Sequence, residues 1–237
     1  GNDLHLTIDA ELQKAAYHIL EQELAGIILA KLQNTLNYNR TKAKDASDVM
    51  IPAGDVYDAF ISNDILDMTH FFAKDAKETE KKVAKTFTQR KETVLKEVAD
   101  LFKDPKGKIY KNCSNEFQAY MLYIVNDLLK NRAQILMSDA IDTNDEMYKK
   151  WQDEESVNVY TYLNHAISKN WIDTSKLADY MPKSGKYSDS SEVYAALSAY
   201  ITESINSNNS FDKLIYKYMI KSGKITGTQV CLMLYEQ

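Results

Sequence analysis

Apolar residues recur at steps of three and four along most of this chain, and that spacing limits its fold more than any other feature. Leu12, Ala16, Ile19, Leu20, Leu24, Ile27 and Ile28 form one such series, which predicts an amphipathic helix running to about Leu36. Val83, Phe87, Val94, Val98, Leu101 and Phe102 form a second, on a long charged helix from about Ala76 to Lys103. Phe117, Tyr120, Met121, Ile124, Val125, Leu128 and Leu129 form a third, wide enough for a mostly buried helix. The turn residues agree with this pattern. Only 7 Gly and 3 Pro occur in 237 residues, about 4% against a usual value of about 12%. A β-sandwich, a barrel or a disordered linker needs many more.

Shorter helices are expected after Pro52, around Met147–Trp151, Val157–Ser168 and Thr174–Tyr180, then over Ser190–Asn206, Phe211–Ile220 and Thr228 to the end. Thr7 or Asp9 can cap the first long helix, Ser210 the helix that starts at Phe211, and Thr226 the last one. Asn37–Asp48 and Pro182–Ser188 read as loop and linker. The opening Leu4-His5-Leu6-Thr7-Ile8 alternates and is rich in β-favouring residues, so it reads as one short strand. The expected fold is therefore all-α, a multi-helix body with one short N-terminal strand. Residues 1–37 form a linker strand and long helix, and residues 38–237 form a helical domain packed on that helix. A lone strand leaves its backbone groups unpaired, so this one is expected to pair with something the chain does not supply, or to fray.

Charge and cysteine content narrow the functional classes. The formal net charge of −5 argues against nucleic-acid binding, which calls for a basic domain. Lys74–Lys111 carries a net +5 and Asp139–Asp179 a net −5; both read as solvated helix faces. Cys113 and Cys231 lie far apart with no CxxC spacing, and read as two unpaired, buried thiols. The longest uncharged apolar runs, Leu24–Ala30 and Phe117–Asn126, fall well short of a membrane span.

No catalytic, cofactor-binding or metal-ligating residue is assigned. His5, His18, His70 and His165 show neither HExxH nor a Glu-x-x-His pair. No GxxxxGK, GxGxxG or GxSxG occurs. Ser210-Phe211-Asp212-Lys213 matches Ser-x-x-Lys. Ser156-Val157-Asn158, Ser204-Ile205-Asn206 and Ser207-Asn208-Asn209 match Ser-x-Asn, and Lys183-Ser184-Gly185 and Lys221-Ser222-Gly223 match Lys-Ser-Gly. These are the element types of penicillin-interacting serine enzymes, but every Ser-x-Asn here precedes the Ser-x-x-Lys. Lys221 also follows Lys213 by only eight residues, too few for separate elements to converge. The rings of Trp171, Tyr216 and Tyr218 could form a sugar platform, but core packing with a wet hydroxyl rim fits them better.

Gly1-Asn2-Asp3-Leu4-His5-Leu6-Thr7-Ile8-Asp9-Ala10-Glu11-Leu12-Gln13 resembles the segment of high-molecular-weight penicillin-binding proteins that leads from the non-catalytic N-terminal module to the transpeptidase domain. Ile51-Pro52-Ala53-Gly54-Asp55-Val56-Tyr57, Asp75-Ala76-Lys77-Glu78-Thr79-Glu80, Asn170-Trp171-Ile172-Asp173, Lys217-Tyr218-Met219, Ile225-Thr226-Gly227 and Cys231 resemble a helical insertion in a clostridial-type subset of class B members. The resemblance implies a non-catalytic helical segment of a membrane-anchored peptidoglycan transpeptidase. That segment would serve as spacer or as a docking module for a partner or the wall. The parent would be a serine-type D,D-transpeptidase with its catalytic motifs beyond Gln237. The segment would lie on the extracytoplasmic face of the bacterial cytoplasmic membrane. Its partners would be the rest of the parent chain (the transpeptidase domain), with other cell-wall synthesis proteins or peptidoglycan as further candidates, and no cofactor. The alternative is a free-standing helical interaction module unrelated to cell-wall synthesis.

Overall fold

A computed structural model describes residues 9–38, 44–45, 48–182 and 189–237. The strand expected over Leu4–Ile8 lies outside them, as do Thr7, His5 and Lys183-Ser184-Gly185. The fold is all-α, and the chain forms two compact units: residues 1–79 with 220–237, and residues 80–219.

The first unit holds helices α1 (Ala10–Lys31), α2 (Ala53–Ser62) and α9 (Gly227–Glu236), and the pair β1 (Leu32–Gln33) and β2 (Ile51–Pro52). Asp9 caps α1, accepting from the Glu11 and Leu12 amides at 2.9 and 3.1 Å. The helix stops at Lys31, short of the expected Leu36, because Leu32 and Gln33 pair in parallel with Ile51 and Pro52. Nothing in the local sequence announces that pairing. It brings the chain so close that a Cβ on Gly54 would sit 2.3 Å from the Leu36 carbonyl oxygen. Glycine is required there by contact with backbone, which cannot swing aside.

Thr226 caps α9 through a reciprocal box with Gln229, as its sequence implies. Gly227 lets the Tyr57 ring approach, since a Cβ would meet that ring at 2.5 Å. The end of the chain is tied by a paired amide: Gln237 accepts from the Asp67 amide at 2.9 Å and donates to its carbonyl at 3.0 Å. Ile61, Leu66, Phe71, Ile225, Val230 and Met233 are the buried centre of this unit. Gly54→Ala is expected to cost about 1–3 kcal/mol, felt in this unit. Hydrogen exchange should speed up over residues 53–62 and 227–236 and stay unchanged over 115–132.

The second unit takes the rest of α3 (Glu78–Leu101), then α4 (Asn115–Leu122), a π-helical stretch (Tyr123–Arg132), α5 (Glu146–Gln152) and α6 (Val159–Ser168). A 3-10 segment (Thr174–Tyr180), α7 (Ser190–Asn206) and most of α8 (Asn209–Lys221) complete it. The apolar stripes read from the sequence are its core: Val83, Phe87, Val94 and Val98 of α3 are buried, as are Tyr120, Met121, Ile124 and Leu129. The single helix expected over 117–129 changes to π winding at Tyr123. Residue 170 ends α6 in the left-handed region (φ 56°), which asparagine tolerates. The Trp171 amide then bonds the Ala166 carbonyl at 2.8 Å. Beyond it, residues 171–173 bridge antiparallel to 135–137, with Met137 to Trp171 and Asp173 to Ile135 bonds of 2.8 Å each.

Several local expectations need correction. Asn208 rather than Ser210 caps α8, accepting from the Phe211 amide at 3.0 Å. Cys113 and Cys231 are both free thiols, as read, but Cys113 is half-buried and Cys231 is exposed. The stripe of α1 is not the packed surface its sequence implies, since no residue of that helix is buried.

Candidate functional site

Among the described residues the serine constellation does not assemble. Ser210 sits in the first turn of α8, where its hydroxyl accepts from Arg132 Nη2 at 3.0 Å. Lys221 is on the same helix, about 16 Å along its axis from Ser210, with Nζ 3.4 Å from Asp55. The Ser-x-Asn residues serve helix ends: Asn158 caps α6 and donates to the Pro105 and Gly107 carbonyls, each at 3.2 Å. Asn208 takes the Tyr123 hydroxyl at 2.7 Å.

The described histidines, His18, His70 and His165, have structural contacts. His165 Nε2 lies 2.9 Å from Asp145 Oδ1, and Asp145 also caps α5 through the Met147 and Tyr148 amides. Burial opposes ionisation of Asp145, but the His165 bond and those amides outweigh it and hold the carboxyl below the usual range. Among the described residues, no three His, Cys, Asp or Glu side chains are placed to hold a metal ion. No helix among them is long and apolar enough to cross a membrane. Of the rings that could form a platform, Tyr216 is buried and stacks on Phe87 at 4.1 Å, and Trp171 is buried with its ring edge-on to His165; Tyr218 is half-buried and donates to the Asn115 carbonyl at 2.9 Å.

Two open apolar surfaces stand out among the described residues. In the first unit, Leu12, Ile19, Leu20, Leu24, Ile27 and Ile28 of α1 are 48–69% exposed. They lie on one side of the helix, from Leu12 to Ile28, about 24 Å along its axis. A contiguous apolar strip of this kind in water marks a surface that something covers. Glu23, four residues from both Ile19 and Ile27, falls within that strip, and Glu11, Lys14 and Glu21 lie round the other side.

In the second unit, a groove of about 740 Å³ runs along one face of α7 from Ser191 to Asn206, about 22 Å at the helical rise. Ala195, Ser198, Ala199 and Thr202 recur at three- and four-residue steps and make a shallow floor. Leu95 of α3 and the ring of Tyr160 form the walls. Tyr194 is held by its hydroxyl, which donates to the Phe102 carbonyl, and its ring lies 4.8 Å from that of Tyr160. Burial pushes its phenol up, so it stays a neutral donor.

That bond places the start of α7 beside the end of α3, where Lys103 stands. Glu203 lines the groove nine residues further along α7 and accepts from the Tyr180 hydroxyl at 3.0 Å. Ser198 is 8% exposed and its hydroxyl makes no hydrogen bond to another described residue. The groove is absent from the sequence reading. Its signal was the run of small residues on one face of an otherwise apolar helix, visible at Ser191, Ala195, Ser198, Ala199 and Thr202.

Compared with protein-family models, with curated proteins and with solved structures, the chain matches none.

Proposed function

We propose that this chain is a non-catalytic docking segment, and that it belongs to a class B-like penicillin-binding protein. The uncovered stripe of α1 carries the reading. Twenty-two helical residues bury none of their side chains, although apolar burial is the main force that holds helices in water. A helix kept in that state is built to be covered from outside its own unit. The resemblance of the first thirteen residues to the lead-in of a transpeptidase domain supplies the context: a helical spacer on the outer face of the cytoplasmic membrane, whose parent enzyme cross-links peptidoglycan. The Ser210–Arg132 bond fits this reading, because it ties up the serine that a penicillin-reactive site here would need.

The test is labelling with a fluorescent penicillin. Residues 1–237 should acquire no covalent adduct by intact mass. The product of the complete gene that encodes them should be labelled, at a serine after position 237. A complete product that takes no label, or a gene that ends at residue 237, would leave the free-standing interaction module in its place. A stoichiometric adduct on 1–237 that Ser210→Ala abolishes would overturn both.

A further inference from the structure

We draw no further inference here: the strongest candidate, the open groove along α7 with its floor of Ala195, Ser198 and Ala199, carries nothing, because nothing in the structure shows what covers it.

Discussion

Replacing Lys91 by methionine will destabilise the second unit by about 3–5 kcal/mol, the usual cost of stranding a buried charge. Lys91 Nζ lies 2.7 Å from Asp212 Oδ1 and 2.9 Å from Oδ2, with the two side chains 16% and 22% exposed. The lysine also lies over the Phe87 ring, 5.7 Å from its centroid. Burial pushes the Asp212 carboxyl up, against the pull of Lys91. Without the lysine the shift grows.

A carboxyl whose folded pKa exceeds its unfolded value of about 3.9 binds its proton more tightly when folded. Folding then gains stability as pH falls through the raised folded value. The variant's deficit should therefore be largest near neutrality and shrink on acidification towards about pH 4. The double variant Lys91→Met/Asp212→Leu should recover most of the loss, because an apolar pair leaves no charge unpaired. Trp151 and Trp171, the only tryptophans of the chain, both belong to this unit, so urea unfolding followed by tryptophan fluorescence reads it alone. A single-variant loss below about 1 kcal/mol, or one that does not change with pH, would mean the pair is effectively solvated.

Phe211→Ala has an effect of similar size, about 3–5 kcal/mol. Phe211 is fully buried, with ring centroids 5.2 Å from Tyr120 and 5.7 Å from Tyr123. The space it leaves cannot close easily, because both neighbouring rings are held by their hydroxyls. Tyr120 donates to Glu116 at 2.7 Å, and that same carboxylate binds Arg90 at 2.7 Å. Tyr123 donates to Asn208 at 2.7 Å, and Asn208 is also the cap of α8. A cavity whose walls are hydrogen-bonded in place costs towards the upper end of the range. Phe211→Leu, which keeps most of the volume, should cost under about 1.5 kcal/mol. The same fluorescence-monitored unfolding separates the two. Equal losses in both variants would show that the aromatic contacts, and not the filled volume, matter at this position.

The sequence by itself determined the helices and many of their ends. The three- and four-residue spacing of Val83, Phe87, Val94 and Val98 names the buried face of α3, because a helix can bury only one side of a charged sequence. Asp9 and Thr226 were readable as caps, since a short oxygen-bearing side chain before an apolar period satisfies free amides wherever it occurs. Ser210 shows the limit of that rule. Asn208, two residues earlier, is a better cap and is fixed by Tyr123, 85 residues away.

Only the tertiary structure decided the rest. The pairing of Leu32–Gln33 with Ile51–Pro52 and the antiparallel bridge of Leu136 with Ile172 are contacts between distant residues that carry no local period. The periodicity of α1 equals that of a buried helix, yet the helix is bare. Periodicity says which side of a helix is apolar, and only the packed neighbours say whether anything covers it. The small-residue face of α7 reads, in sequence, as a close helix contact. In the structure it is the floor of an open groove, because the walls that Leu95 and Tyr160 provide come from α3 and α6, and nothing in α7 itself specifies them.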